Sequence, residues 1–359
     1  MITTFPLGAV IVGCGHIAQP YAKAIKTYND VALLGFQDLE ATRAQTFARE
    51  FGGRAYGTFD EVLADPRVNL VVNLTIHQAH EEVITRALEA GKHVHTEKPL
   101  ALTYATARRL AALAEQRGLR LSSAPATYLG EAQQTIAREL RRGAIGPVRL
   151  VYAEINHGRI ETWHANPVPF YEVGVLWDVG IYPLTLLTAF LGPVQRVTAQ
   201  QRLLLPARRT KAGQPFNLTK PEFVNAVLDF AGGVVGRLTC NFYTNGSKQG
   251  AGIEFHGDGG SLILGSVFKF NAPVERCAYG EPLQPLPLVR PGYEGVEFAR
   301  GVKDMAAALR EGRPHRVAAA HAAHVIEVME LIDASARAGG ESRTPTSRFS
   351  APEPMEWAG

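Results

Sequence analysis

Between residue 9 and about residue 125, short apolar runs alternate with stretches of helical spacing. Ala9 to Val12 is a continuous apolar run closed by glycines. Ile17 to Ile25 repeats its apolar positions with the period of an amphipathic helix, and Val31 to Phe36 is a second apolar run, followed by Asp38. Apolar runs of this length joined by helices predict parallel strands with crossover connections, because such strands are covered on both faces. The alternation continues through a helix at Ala41 to Phe51, a strand at Leu70 to Thr75, a helix at Glu81 to Ala90, a strand at Val94 to Thr96, a helix at Tyr104 to Arg117 and a strand at Leu119 to Ser122. The pattern predicts an α/β fold whose N-terminal domain, residues 1–124, is a doubly wound parallel sheet.

After Pro125 the rhythm changes. A helix at Gln133 to Arg142 ends at Gly143, and segments rich in Val, Leu, Phe and Thr then dominate. Strands are expected at Val148 to Asn156, Val194 to Leu205, Phe223 to Phe230, Val234 to Tyr243, Gly252 to Gly257 and Ser261 to Leu264. The turns Ala231-Gly232-Gly233 and Gly257-Asp258-Gly259-Gly260 suit antiparallel neighbours. Residues 125–345 are therefore expected to form a C-terminal α/β domain with a large open, mostly antiparallel sheet. Helical periodicity returns from Val302 to Ala338, interrupted at Gly312 to His315, and residues 346–359 are expected to be a polar tail.

Composition narrows the function classes. A chain of 359 residues is long enough for two domains with separate cores, and 46% apolar against 20% charged residues predicts a globular protein. The net charge of +3 is spread along the chain with no nucleic-acid-binding signature, so a small-molecule partner is expected and a nucleic acid is not. No segment reaches the roughly 18 apolar residues that a membrane-spanning helix needs. The first fifteen residues contain no Lys or Arg and run straight into a glycine-rich turn, so a cytoplasmic location is expected. Cys14, Cys240 and Cys277 are widely spaced and form no C-x-x-C pair, which suits small apolar fillers better than a disulfide framework or a zinc site.

The glycines that close the first apolar run belong to Gly13-Cys14-Gly15-His16-Ile17-Ala18. Placed between a strand and a helix, this G-x-G-x-x-A order has a physical use. Gly13 permits a tight turn, Gly15 lets the backbone approach a pyrophosphate, Ala18 allows close helix–strand packing, and the free N–H groups of the helix start, at His16 and Ile17, face the anion. About 20 residues on, the Asp38 carboxylate is placed to accept the adenosine ribose hydroxyls and to repel a 2′-phosphate. The expected cofactor is NAD, although Arg43 lies one helical turn further. Asp38 also precedes a helix, and an N-cap role is open to it.

Four further stretches, Thr75 with His80, Gly91-Lys92-His93-Val94 leading to Glu97-Lys98-Pro99, Gly143-Ala144-Ile145-Gly146-Pro147, and Asp178-Val179-Gly180-Ile181-Tyr182, follow the fingerprint in order. Over Val10 to about Ser335 the chain resembles the glucose-fructose oxidoreductase, inositol dehydrogenase and MocA (Gfo/Idh/MocA) family. The resemblance implies a Rossmann domain followed by an α/β domain whose open sheet forms a homodimer or homotetramer interface. It also implies cofactor contacts from Thr75, His80, Glu97 and Lys98, and catalytic roles for Lys98, Asp178 and Tyr182. A tyrosine is a base at neutral pH only where a cation stabilises its phenolate, and Lys98 is the candidate. Asp178 and Tyr182, four residues apart, share a face if the segment is helical, but Pro183 disfavours a helical Tyr182. Where the family commonly has three glycines before the aspartate, this chain has Val173-Gly174-Val175, and Ile76 follows Thr75 where proline is usual.

The segment Asn156 to Asn166 resembles the family's substrate-facing loop. Trp163 is placed to stack on a sugar face, Arg159 to bind an anionic group or to bridge to Glu161, and His164 to contact substrate. His157 and His164 are too poorly supported by acidic neighbours to indicate a metal site, and none is expected. The leading expectation is an NAD-dependent dehydrogenase acting on a secondary hydroxyl of a sugar, sugar acid or inositol-like polyol. An NAD-dependent glycoside hydrolase, working by transient C3 oxidation, elimination, water addition and re-reduction, is the second. A nucleotide-sensing regulatory protein without catalysis is the third.

Overall fold

The first apolar run forms β1 (Leu7–Val12), every residue of which is buried in the computed structural model, which describes residues 5–359. It is followed by α1 (Ala18–Ile25), β2 (Val31–Gln37), α2 (Ala41–Phe51), β3 (Arg54–Tyr56), α3 (Phe59–Ala64), β4 (Leu70–Asn73), α4 (His80–Glu89), β5 (His93–Thr96), α5 (Tyr104–Gln116) and β6 (Leu121–Ser123). The six strands pair in parallel in the order β3-β2-β1-β4-β5-β6. The order in which strands are added reverses between β1 and β4, so the loops leaving these parallel strands open at the edge where doubly wound sheets take ligands. β3 and α3 escape periodicity because they are three and six residues long. A local signal for α3 was nonetheless available: Thr58 stands three residues before Glu61, and its hydroxyl accepts the Glu61 N–H at 3.2 Å.

The domain boundaries differ from those the sequence suggests. Residues Glu297–Ile326, expected in the second domain, belong to the first unit together with the chain up to Ala126. The reason is hydrophobic. Within this segment α9 (Arg300–Glu311) sets Val302, Met305 and Ala306 against Ile11, Ala18, Tyr21 and Leu70 in one buried cluster. Burying side chains such as Val302 and Met305 stabilises a fold by about 1.5–3 kcal/mol each. The helix stops at Gly312, whose φ of 68° is the left-handed conformation that ends helices.

The second unit comprises Thr127–Val296 and Glu327–Gly359. After α6 (Glu131–Arg141) it contains β7 (Val148–Asn156), α7 (Val168–Val173), α8 (Ile181–Leu191), β8 (Arg196–Arg202), β9 (Ala207–Arg209), β10 (Pro215–Asn217), β11 (Phe223–Asp229), β12 (Val235–Asn241), β13 (Ala251–Gly257), β14 (Gly260–Leu264), β15 (Val274–Ala278) and β16 (Gln284–Pro285). Eight strands make one sheet in the order β16-β15-β14-β13-β7-β12-β11-β8, antiparallel except for β7 with β12, while β9 and β10 form a separate hairpin. The register places Val151, Ala153, Ile155, Leu238, Cys240, Val224 and Ala226 on one buried face. Leu150, Val235 and Val227 stand on the other, each more than one-third exposed. α10 (Ala319–Arg337) begins in the first unit and ends in the second.

The last residues are not a loose tail. Arg343 exchanges two backbone hydrogen bonds of 2.8 Å with Val197 at the edge of β8. Glu327 accepts from the backbone and hydroxyl of both Thr346 and Ser347. The Trp357 ring lies 3.6 Å beneath the Arg290 guanidinium, and Ala358 is fully buried. Along this segment hydrogen-bonded positions such as Thr346 and Ser347 are interspersed with solvent-exposed ones. Among the described residues no helix is long and apolar enough to cross a membrane.

Candidate active site

In the first unit, local backbone geometry builds the turn suited to a cofactor. Gly13 has a φ of 94°, and a Cβ there would lie 2.6 Å from the Leu74 carbonyl oxygen, so only glycine fits between β1 and the loop after β4. At Gly15 the opposite holds: no protein atom lies within 4 Å of where a Cβ would stand. Gly15 and His16 are exposed, Ile17 is half-buried, and Ala18 is buried at the start of α1. A helix N-terminus approached through an open glycine suits the pyrophosphate of a dinucleotide.

Asp38 closes this loop. Its Oδ2 accepts the Cys14 N–H at 2.7 Å and its Oδ1 accepts the Glu40 N–H at 2.9 Å. The N-cap of α2 is Glu40, so Asp38, placed between β2 and α2, braces the turn between β1 and α1 and does not cap the helix. Arg43 is engaged by Glu40 at 2.8 Å. Burial and the Asp38 charge push the Cys14 thiol up to about 12, which keeps it a neutral filler, and all three cysteines are free thiols.

A second group gathers at the ends of β4 and β5. Thr75 donates its hydroxyl to Asn73 Oδ1 at 2.7 Å. His80 is fully buried, with Nδ1 2.8 Å from the Pro99 carbonyl oxygen and Nε2 3.2 Å from that of Thr75. Burial holds its pKa below the usual value against the pull of these carbonyls and of Glu97. His80 thus links the Thr75 and Pro99 loops from beneath. Lys98 is half-buried at the carboxyl end of β5, and its N–H donates to Glu97 Oε2 at 3.1 Å.

Behind Glu97 stands a hydrogen-bonded relay that sequence reasoning missed. The Tyr21 hydroxyl donates to Glu97 Oε1 at 2.7 Å and lies 3.2 Å from His95 Nε2, while His95 Nδ1 is 2.6 Å from the Ser122 hydroxyl. The single Tyr21 proton goes to the carboxylate, so His95 donates from Nε2 and accepts from Ser122 at Nδ1. Burial, helped by His315, lowers the His95 pKa to about 3, so the ring is neutral. A Cβ at Gly301 of α9 would come within 2.7 Å of this ring. The available signal was His95 itself, a polar residue in a strand buried throughout.

In the second unit Asp178 lies in the π-helical turn Leu176–Gly180, and Tyr182 follows at the start of α8. Tyr182 is therefore helical despite Pro183. A proline within a helix costs one backbone bond and crowds the preceding turn, and the wider π turn just upstream lies where that crowding falls. Both side chains are half-buried, and the Tyr182 ring meets Phe268 edge-on with centroids 4.8 Å apart. Of Val173-Gly174-Val175, only Gly174 has a positive φ, 88°, where it ends α7, whereas Val175 has ordinary helical angles and is fully buried. One glycine is all this turn requires.

Around Asp178 the segment after β7 supplies an aromatic wall. Trp163, 47% exposed, meets His157 and His164 at 5.5 Å each, and His157 packs on Phe242 at 5.7 Å. Burial lowers the His157 pKa while the Asp178 charge opposes that shift, so these two residues are electrostatically coupled. Arg159 does not bridge to Glu161. Its guanidinium lies 4.7 Å over the Tyr243 ring, and Glu161 pairs with Arg208 at 2.8 Å. His164 Nδ1 is occupied locally by the Asn166 backbone. Among the described residues no three His, Cys, Asp or Glu side chains are grouped to hold a metal.

Comparisons with known proteins agree with this division. Residues 7–124 match the model described as an oxidoreductase family with an NAD-binding Rossmann fold, and residues 133–263 match the GFO/IDH/MocA C-terminal domain. A trans-1,2-dihydrobenzene-1,2-diol dehydrogenase of Mus musculus is 27% identical over 297 residues, 80% of this chain and 82% of that protein. The structure of an NAD binding oxidoreductase from Klebsiella pneumoniae superimposes with a TM-score of 0.83 at 20% identity, covering 94% of this chain and 98% of the other. That of an aldose-aldose oxidoreductase from Caulobacter crescentus, complexed with glycerol, gives 0.79 at 21% identity, covering 94% and 99%.

Proposed function

Because the chain belongs to the Gfo/Idh/MocA oxidoreductases, an NAD-binding enzyme family, we propose that it oxidises a secondary hydroxyl of a ring-borne polyol of the sugar or inositol type. The observation that carries this reading is the partly exposed Trp163 ring, flanked by His157 and His164 at 5.5 Å each, in the unit that also places Asp178 one helical turn before Tyr182. A flat aromatic wall next to hydrogen-bonding groups suits a ring with apolar faces and hydroxylated edges. The relative from Mus musculus is named for a diol on adjacent ring carbons, which supports a substrate with neighbouring hydroxyls.

Bound NAD would supply the acceptor for a hydride from the substrate carbon. The chain's own residues are proposed to do the rest. The Gly13–Ala18 turn would hold the pyrophosphate and Asp38 the ribose, with Thr75, His80 and Glu97 shaping the loops beside them. Tyr182 would take the hydroxyl proton, Lys98 would stabilise the resulting phenolate and polarise the substrate oxygen, and Asp178 would orient the hydroxyl. Trp163, Arg159 and His164 would contact the remaining substrate. Assembly as a homodimer or homotetramer through the sheet face bearing Leu150, Val227 and Val235 is proposed with it.

The test follows NADH formation with NAD and a panel of cyclic diols, inositols, sugars and glycosides. Steady NADH production is expected, and Tyr182→Phe should lower kcat at least 100-fold with NAD affinity kept. Glycoside cleavage without net NADH would replace the dehydrogenase reading by the redox-neutral one. Turnover unchanged in both Lys98→Met and Tyr182→Phe would remove both.

A further inference from the structure

Arg208 is in β9, within the basic stretch Ala207-Arg208-Arg209-Thr210-Lys211 of a peripheral hairpin, yet its side chain is only 1% exposed. Its guanidinium serves four acceptors. Nε donates to the Leu205 carbonyl at 3.1 Å, Nη1 to Glu161 Oε1 at 2.8 Å and to the Tyr171 hydroxyl oxygen at 3.1 Å, and Nη2 to Glu222 Oε1 at 2.9 Å. Tyr171 in turn donates to Glu161 Oε2 at 2.5 Å and accepts the Ile160 N–H at 3.1 Å. Glu222 Oε1 also accepts the Leu205 N–H at 2.8 Å.

These bonds converge on one short element. Ile160 and Glu161 belong to the 3-10 turn Ile160–Thr162, with Arg159 just before it and Trp163 just after. The turn's own backbone bonds, such as Trp163 N–H to the Ile160 carbonyl at 3.2 Å, are local and fix its shape, not its place. Besides the buried Ile160 side chain, its place is set by the Glu161 side chain and the Ile160 N–H, both tied to the Arg208–Tyr171 pair. A planar guanidinium with several directed donors holds such a geometry, whereas an ammonium point charge does not. Buried ion networks add little net stability when compared with apolar packing, so their best-attested use is geometric.

We propose that Arg208 is a positioning residue that sets the place of Arg159 and Trp163 and thereby governs substrate recognition. The second half of this inference rests on the reading of the Asn156–Asn166 segment as substrate-contacting.

The test uses the full chain with NAD present and two conservative variants. Arg208→Lys keeps the charge without the fork, and Tyr171→Phe keeps the packing without the bridging hydroxyl. In both, hydrogen exchange of the peptide covering residues 157–166 should quicken, by tenfold or more in Arg208→Lys. KM for the substrate should rise by a similar factor while kcat changes less than threefold and NAD affinity is kept. Unchanged exchange in folded Arg208→Lys would overturn the positioning role, whether or not a substrate is in hand. Faster exchange with KM unchanged would overturn the recognition role and, with it, the substrate reading of this segment. If kcat and KM move together with NAD affinity in both variants, the effect is general destabilisation and the proposal fails.

Discussion

Glu97 in the first unit and Glu161 in the second are both carboxylates that accept from a tyrosine hydroxyl, Tyr21 at 2.7 Å and Tyr171 at 2.5 Å, but what stands behind each tyrosine differs. Behind Tyr21 are neutral groups, His95 and Ser122. Behind Tyr171 is a buried cation, Arg208, with a second carboxylate, Glu222. The neutral relay has little charge to desolvate and holds only while the imidazole stays unprotonated. The charged network is indifferent to pH near neutrality and depends on every partner being present. One kind of support is broken by protons, the other by truncation.

The largest expected effect separates the two by truncation. Arg208→Met leaves Glu161 and Glu222 buried without their cation, and should cost about 3–5 kcal/mol in urea unfolding of the intact protein. Tyr171→Phe should cost less, because the carboxylates keep their cation.

Acid should act on the other side. The folded-state pKa of His95, about 3 through burial and then His315, lies below its unfolded value near ~6.5, so the unfolded chain takes up the proton first. Its contribution to stability is complete above pH ~6.5 and falls as pH drops towards 3, by about 2 kcal/mol at pH 5. Burial raises the Glu161 pKa, but the hydrogen bonds of Tyr171 and Arg208 outweigh it and the net shift is downward. That stability persists until pH falls through the carboxylate range. Between pH 7.5 and 5, amide exchange corrected for intrinsic rates should therefore quicken around residues 93–97 and less around 160–171, where the lowered His157 pKa acts in the same direction but more weakly. Equal loss of protection in both peptides would erase the distinction.

A smaller effect is expected from Tyr21→Phe, about 1–2 kcal/mol in stability. It should also weaken NAD binding several-fold, measured by titration, because Glu97 loses its donor. A matched pair of glycines sharpens the comparison at the backbone level. Gly13→Ala drives a Cβ onto the Leu74 carbonyl and should weaken NAD binding at least tenfold. Gly174→Ala meets only the flexible Lys220 side chain at 3.4 Å, but its φ of 88° and ψ of 150° lie where essentially only glycine goes, so about 1–3 kcal/mol of backbone strain is expected with NAD affinity kept.

Much of the first unit was legible because its features are local. Gly13, Gly15 and Ala18 act within one turn, and the alternation of runs and helices announces β1, β2, β4, β5 and β6. Asp38 was legible as a carboxylate closing the second apolar run, but its bond to the Cys14 N–H joins residues 24 apart and could not be read from the helix start that follows it. The return of residues 297–326 to the first unit was hidden for the same reason. The helical period of α9 says that a face is buried and does not say against which sheet. In the second unit the apolar run around Asp178 was visible, while the π turn that accommodates Pro183 was not.

The sequence by itself therefore determined the longer strands and helices and their order, the fingerprint turn and the residue types at the candidate site, since each follows from spacing within a few residues. Only the tertiary structure decided which supports stand behind them. His95 is neutral because helix α9 covers it, and Arg208 is buried because Tyr171, Glu161 and Glu222 close around it. Desolvation and charge pairing depend on what surrounds a group in space, and partners tens of residues apart along the chain leave no local pattern to read.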